Sequence, residues 1–539
     1  MKTFSKKQLY LFSLLSGIML WAGWPASGFP FILLIAFIPL LIIEEQLYQQ
    51  KESVRSFAFF KHAFITALLW NLLSTWWVLN STIIGGVLAI VLNALFMALV
   101  LWLFHIIRIR TSGRLGYSSI VILWISFEYL HLNWECSWPW LTLGNGFANY
   151  ASCVQWYEFT GVLGGTFWIW ICNILLFLLI KNLFLAPWKN SSGKTLKLLT
   201  PIVLFIPIIA SLVLYLSYSE KKNPVSIVVV QPNIDPYNEK FSGDFKTQLN
   251  KMFDLANSAL DSSTNYLVFP ETALTEDLWE NDWNGNFTMP FLKNYLTEHP
   301  HLSIVTGAST YKAYNKGDII PISARKFTGS DESYDAYNTA LELNNTYPLQ
   351  VYHKSKLVPG VEIMPFEKVL APLAKLAFDL GGTSGTLGTQ KEPTVFYSPN
   401  SKTTIAPAIC YESIYGEYLG KYVQKGAELI FIITNDGWWQ DTPGYRQHLC
   451  YARLRAVEMR RSIARSANTG VSAFIDQRGT ILQRTSWWQP ATLKASLNIN
   501  REMTFYALHG DYIGRYASIL SIVIFIDLII SIILLKRKR

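Results

Sequence analysis

Residues 403–412 read TTIAPAICYE. TTIAPAI, rich in β-branched and apolar side chains, leads straight into Cys410, with Tyr411 and Glu412 behind it. A short apolar run of this kind reads as a buried strand. It would present the thiol at its exit with a carboxylate two residues further on. The same letters also fit a packing cysteine, because free cysteine is among the most buried residue types. Neighbouring runs set the fold. VSIVVVQPNI (225–234), NYLVFPE (265–271), LSIVTGAST (302–310) and LIFIITNDGW (429–438) share the character of the first and are bounded by turn formers. Between them, FKTQLNKMFDLANSALD (245–261) and GYRQHLCYARLRAVEMRRSIA (444–464) carry helical patterns. Strands alternating with helices predict a layered α/β body.

That body is embedded in a chain of another kind. Of 539 residues, 51% are hydrophobic, 15% aromatic and only 15% charged, the composition of a membrane protein. Crossing a bilayer takes about 20 apolar residues. Stretches of that sort lie near 8–25, 29–48, 57–80, 83–107, 118–132, 160–180, 200–219 and 516–535. The expectation is a seven-span membrane domain over 1–219, a polar domain over 220–510, and an eighth span with a basic tail over 511–539.

The net charge of +9 follows this layout. With the N-terminus inside, every inside segment is basic: Lys6 and Lys7, Lys51 and Arg55, Arg108 and Arg110, Lys181 and Lys194, and the terminal KRKR. The opposing short loops, 26–28, 81–82 and 133–159, hold no Lys or Arg. This is the positive-inside pattern, and it places the α/β domain on the outer face with both termini cytoplasmic. Membrane orientation thus accounts for the basic balance without nucleic acid. The first span is expected to be retained, because a second span follows at once and no small-residue cleavage pattern is clear. Five cysteines, at 136, 153, 172, 410 and 450, show no metal-ligand spacing, and their odd number argues against a disulfide framework. No metal or organic cofactor is expected.

Three strand exits of the α/β domain end in a reactive residue type. LVFPE puts Glu271 after an apolar strand, QVYHKSKLVPGVE offers Lys354, Lys356 and Glu362, and IAPAICYE offers Cys410. A carboxylate, an ammonium and a thiol form a coherent set: base, oxyanion partner and nucleophile for attack on an acyl carbonyl. Separately, each also fits a solvated strand end, a surface lysine or a packing cysteine.

The order FPE, KxxLVPxxE, CYE, NDGWW and RAVEMRRSIARSANTG resembles the carbon-nitrogen hydrolase (nitrilase) superfamily. The flanking spans, with WISFEYLHLNW and WPWLTLGN, narrow the resemblance to the apolipoprotein N-acyltransferase family. The resemblance implies an αββα sandwich with Glu271 as general base, Lys354 as oxyanion partner and Cys410 as nucleophile. Lys354 is preferred to Lys356 because it stands eight residues before Glu362, as the family's lysine stands before its second glutamate. Glu362, Tyr411 and Glu412 are implied as supporting residues. The resemblance further implies a phospholipid acyl donor, a diacylglyceryl apolipoprotein acceptor, a Cys thioester between two half-reactions, and an inner-membrane location with the catalytic domain in the periplasm. Two departures stand out: LVPGVE replaces the usual LVPFGE, and the tryptophan that often follows QxNI is not evident near Lys240 and Phe241.

Other residues carry weaker signals. Trp438 and Trp439 trail a strand exit, and Trp438 is taken as a wall of the acyl pocket. Glu128 and Asp527, ionisable groups at membrane depth, are expected to hydrogen-bond between helices. Cys136 and Cys153 share one outer loop and could pair. His448 and Cys450 do not face each other at i and i+2 on a helix, so core packing is expected of them. The stretch 363–388, apolar and then glycine-rich, fits either a mobile interfacial arm or a core helix plus loop. An amidase using the same three residues remains the rival enzyme reading, although it needs no spans. A transporter is disfavoured by the few intramembrane charges and the lack of paired broken spans.

Overall fold

The computed structural model describes residues 3–111, 113, 115–185, 192–363, 365–366 and 386–537. The expected arm at 363–388 therefore lies largely outside the described residues. The chain divides into two compact units, one of Met1–Leu79, Gly86–Ser217 and His509–Arg539, the other of Asn80–Gly85 and Tyr218–Leu508.

The first unit is helical. Among the described residues six helices are long and apolar enough to cross a membrane: Pro30–Gln49, Phe57–Asn80, Ile83–Arg110, Tyr157–Leu183, Gly193–Ser217 and Tyr512–Leu534. The other two expected spans are the shorter helices Lys6–Ala22, of 17 residues, and Ser118–Asn133, of 16. Six of the eight expected spans thus have the length and composition to cross a membrane, and these two are shorter. The first ends three residues before the expected 25, and the second matches the expected 118–132 to within one residue. Ser5 caps the first reciprocally with Gln8, and its C-cap is Gly23. The second ends where Trp134 turns extended. Sixteen residues rise only about 24 Å, short of a hydrocarbon core of about 30 Å. Inside this unit Glu128 is buried and accepts from Trp124 Nε1 at 2.8 Å, Leu143 N at 2.8 Å and Thr166 Oγ1 at 2.6 Å. Thr166 lies on the Tyr157–Ile180 helix, so this is the expected interhelical bonding. Two of the basic residues at the expected inside ends are ion-paired rather than free. Arg108 bonds to Glu44 and, at 3.2 Å, to Glu45, and Lys181 reaches Glu45 at 2.7 Å. Cys136 and Cys153 are free thiols.

The second unit is a sandwich of two sheets. Its strands are β1 (Pro224–Gln231), β2 (Tyr266–Val268), β3 (Leu274–Trp279), β4 (Ser303–Ala313), β5 (Arg325–Lys326), β6 (Ser333–Leu343), β7 (Gln350–His353), β8 (Phe396–Ser398), β9 (Thr403–Ile409), β10 (Leu429–Thr434), β11 (Ile463–Ala467), β12 (Ala473–Ile475), β13 (Ile481–Arg484) and β14 (Ala491–Asn498). One sheet runs β14-β1-β2-β4-β6-β5, with β3 beside β4 and β7 beside β6; the other runs β13-β12-β11-β10-β9-β8. The central β1-β2-β4 and β9-β10-β11 pairings are parallel. Strands of such sheets are covered on both faces, hence the nearly unbroken apolar runs.

The sheets meet through Tyr266 and Phe431, whose rings lie 5.1 Å apart at 90°, and through Ser303 Oγ to Ser398 Oγ at 2.8 Å. Helices cover the outer faces. Phe245–Asn257 and Thr288–Glu298 bury Leu249, Met252, Phe253, Met289, Leu292 and Leu296 against the first sheet. Gly416–Gln424 and Pro443–Met459 pack on each other, the former against β9. The layering is αββα.

One expected element breaks in two. The helix read over 444–464 stops at Met459, because Arg460 caps it in the left-handed region (φ 47°), and Ile463–Ala467 becomes β11, paired in parallel to β10. The run IARSA is wholly buried, and the ladder position outweighs its helical continuation.

Candidate active site

β9 ends at Ile409, and Cys410 opens a tight turn through Ile414. Cys410 has φ 49°, a left-handed conformation that costs a non-glycine residue about 1–2 kcal/mol. Such strain persists only where surroundings over-determine it, and here three groups do. Ser413 Oγ donates to the Cys410 carbonyl at 2.7 Å, His448 Nε2 lies 3.2 Å from the same oxygen, and Ile409 N donates to Glu412 Oε2 at 2.9 Å. The other Glu412 oxygen accepts from Tyr352 Oη at 2.5 Å, Ser355 N at 2.7 Å and Lys356 N at 3.2 Å. Glu412 thus ties the cysteine turn to the segment after β7 that carries Lys354. Glu412→Gln puts an amide NH2 against at least one backbone N–H whichever way it is flipped. It should destabilise the unit by about 1–3 kcal/mol, measurable as a lowered thermal or denaturant midpoint.

Glu271 emerges just beyond β2 and is buried. Its Oε1 accepts from Asn338 Nδ2 at 2.7 Å and Lys354 Nζ at 3.2 Å, and its Oε2 from Asn435 N at 3.0 Å. Lys354, 1% exposed, also reaches Glu362 Oε1 at 2.8 Å. Glu362 is fixed in turn by Val358 N at 2.8 Å and Asn338 Nδ2 at 3.2 Å. Gly307 of β4 passes so close to the turn after Glu271 that a Cβ there would fall 2.4 Å from Thr272 N. Only glycine permits that approach.

The electrostatics follow from these contacts. Burial would raise the Glu271 carboxyl, but Lys354, Asn338 and Lys240 outweigh it and hold it below the ordinary value. Burial would lower the Lys354 ammonium, but Glu271 and Glu362 hold it above the usual lysine range. Burial and the Glu271 charge push the Cys410 thiol up, with Lys354 opposing. At rest the proton sits on sulfur, the carboxylate is ionised and the ammonium is charged.

Beneath the cysteine turn lies a network the sequence reading did not foresee. His448, expected to be core packing, faces Asp436 Oδ1 at 3.0 Å and Ser413 Oγ at 2.8 Å. Asp436 also binds Arg465 at 2.5 Å and Thr434 Oγ1 at 2.7 Å. Burial would raise the Asp436 carboxyl, yet Arg465 and His448 hold it at about 2. Thr434 hydrogen-bonds the Cys410 thiol as well. Arg465→Met would leave Asp436 buried without its guanidinium partner. Breaking such a pair costs about 3–5 kcal/mol, which a denaturant titration of the variant would register.

With this geometry in view, the chain can be set beside known proteins. Residues 226–504 match the family model Carbon-nitrogen hydrolase. The chain belongs to the carbon-nitrogen hydrolase family. Residues 16–175 match a second model, Apolipoprotein N-acyltransferase N-terminal domain. The apolipoprotein N-acyltransferase of Chlorobaculum tepidum is 29% identical over 94% of this chain and 93% of its own length. That of Geobacter metallireducens is 27% identical over 93% and 92%. That of Haemophilus influenzae is 26% identical over 79% and 76%.

In this carbon-nitrogen hydrolase the segments after β2 and β7 bring Glu271 and Lys354 to 3.2 Å, and the Cys410 thiol after β9 feels the charge of both. Lys356 turns elsewhere, its Nζ 5.2 Å from the centroid of the Tyr415 ring and 5.8 Å from that of Tyr418. Tyr411 is buried and packs edge-on to Tyr415 at 5.4 Å. Trp438 is half-buried between Tyr237, 5.2 Å away, and Phe241, stacked at 6.5 Å. Sequence reading does not single out Asn338, uses Lys240 only as a landmark, meets Asn435 only as part of the NDGWW motif, and assigns His448 to packing.

Proposed function

We propose that this chain is an apolipoprotein N-acyltransferase of the bacterial inner membrane, moving an acyl chain from a phospholipid to the N-terminal amine of diacylglyceryl-cysteine apolipoproteins. What carries the reading is the charge coupling of Glu271, Lys354 and Cys410 in one buried cluster within a chain whose helices are those of a polytopic membrane protein. In the first half-reaction Glu271 takes the thiol proton and the thiolate attacks the ester carbonyl. Lys354 stabilises the oxyanion, and the proton passes to the departing lysophospholipid oxygen. In the second, the acceptor amine attacks the thioester, gives its proton to Glu271 and leaves as an amide, while sulfur regains a proton. Glu362, Tyr411 and Glu412 support the three, and Trp438 lines the path of the acyl chain. Eight spans, with Lys6–Ala22 and Ser118–Asn133 crossing as the short ones, put both termini in the cytoplasm and the catalytic unit in the periplasm, where both substrates present their reacting ends.

The test is direct. Detergent-purified protein given phospholipid and a diacylglyceryl peptide should extend the peptide by one acyl chain. Ammonia released from small amides, with no peptide acylated, would establish the amidase reading instead.

A further inference from the structure

A second lysine lies in this cluster. Lys240 sits in the polar segment YNEKFSG after β1, yet it is 2% exposed. Its own amide donates to Asp235 O at 2.9 Å, and Gln248 Nε2 donates to its carbonyl at 3.2 Å. The side chain therefore points inward from a pinned turn. Nζ donates to the Glu271 carbonyl at 3.0 Å and to Thr272 Oγ1 at 2.5 Å. Thr272 has φ 46°, a strained conformation for a β-branched residue. Both partners are neutral oxygens, and among the described residues no carboxylate comes within ion-pair distance of Lys240.

A buried ammonium without a salt-bridge partner is expensive, so its charge must be balanced at longer range. Burial lowers Lys240 to about 8, while Glu271 and Cys410 pull it back up; it is a cation at neutral pH. The charges around it explain the need. Lys354 is the one ammonium within ion-pair distance of Glu271 and Glu362, and Glu412, also buried, feels its charge as well. Asp436 has partners of its own in Arg465 and His448. The carboxylates around Lys354 outnumber it, and Lys240 supplies a second positive charge. As the proton passes from Cys410 to Glu271 and the negative charge moves to sulfur and then to an acyl oxygen, the total stays the same, so the same counter-charge serves every step.

Resting on the acyltransferase reading for its substrate, we propose that Lys240 is a positioning residue for the Glu271–Cys410 couple: it clamps the strained turn after Glu271 and supplies the positive charge that keeps that carboxylate ionised to receive the thiol proton. A merely structural lysine would fix the turn without setting the protonation of Glu271.

The test compares wild type, Lys240→Met and Lys240→Arg in detergent. Two readouts are followed: iodoacetamide alkylation of Cys410 against pH, located by peptide mass, and acyl-adduct formation from phospholipid. Removing the charge raises the Glu271 carboxyl and the thiol together. In Lys240→Met alkylation below about pH 8, where wild-type Lys240 is charged, should therefore slow about tenfold at a given pH, and adduct formation at neutral pH should fall about tenfold. Lys240→Arg should track wild type. If Lys240→Met does not elute as a folded species, Lys240→Gln, neutral but still a donor, should show the same shift. Superposed profiles for Lys240→Met and wild type would overturn the inference while leaving an acylating wild type to support the function. So would a shift in Lys240→Arg as large as in Lys240→Met, which would mean that fit rather than charge matters. A shifted profile beside a wild type that never acquires an acyl group would uphold the charge balance and sink the proposed substrate.

Discussion

Wild-type protein incubated with phospholipid should gain the mass of one acyl chain on Cys410, labile to hydroxylamine, and Cys410→Ser should gain none that hydroxylamine removes. Resting protonation decides the outcome. Burial and Glu271 keep the Cys410 proton on sulfur, and Glu271 is held ionised to receive it. A hydroxyl in the same place has a far higher proton affinity, and Glu271, held below the ordinary carboxylate value, is too weak a base to activate it. Loss of the nucleophile should lower acyl transfer by about three orders of magnitude or more. Intact-protein mass spectrometry reads this directly. An adduct on Cys450 or on another cysteine, with Cys410 unmodified, would defeat the assignment.

The second large effect is expected at Lys354. Replacing it by methionine removes the cation held 3.2 Å from Glu271 and 2.8 Å from Glu362. Loss of one oxyanion partner lowers acylation by about 10²–10³-fold. It also leaves two carboxylates facing each other without the nearest counter-charge, a destabilisation of about 3–5 kcal/mol. The pH dependence of that cost has a definite direction. With the ammonium gone, the folded-state carboxyl titrates above its unfolded value, so the native state holds the extra proton and stability is lost as pH rises. The variant should melt higher at pH 5 than at pH 8, relative to wild type at the same two values. Lys356→Ala is the control. That side chain lies over the Tyr415 and Tyr418 rings, an interaction of about 0.5–1 kcal/mol, and acylation should persist within a few-fold. If Lys356→Ala abolished the adduct and Lys354→Met spared it, the roles of the two lysines would be reversed.

Much of the α/β unit was legible because its core strands are buried on both faces. VSIVVVQ, TTIAPAI and LIFIIT announce themselves by composition, and each became a strand ending close to where its apolar letters end. Helix boundaries were less legible. RRSIA carries no breaker, so only the left-handed turn at Arg460 and the ladder with β10 reveal that it leaves the helix. Of the eight expected spans, six are helices long and apolar enough to cross a membrane among the described residues; the other two are the shorter helices Lys6–Ala22 and Ser118–Asn133.

For the site, strand exits made Glu271 and Cys410 candidates, and family spacing separated Lys354 from Lys356. The residues that tune them left little trace. Lys240 lies among Asn, Glu and Ser in a segment that reads as solvent-exposed, and His448 sits on a helix whose neighbours at i+2 face away.

By itself, then, the sequence determined which segments must be buried, because apolar side chains leave water wherever the chain takes them, and it set the order in which acid, amine and thiol follow one another. Only the tertiary structure decided which polar groups are sealed in with them. A lysine's burial depends on a turn from one sheet closing over a strand end 31 residues away, and no local pattern encodes that closure. The inward turn of Lys240, the bridge made by Asn338 and the carbonyl held by His448 are therefore properties of the assembled fold.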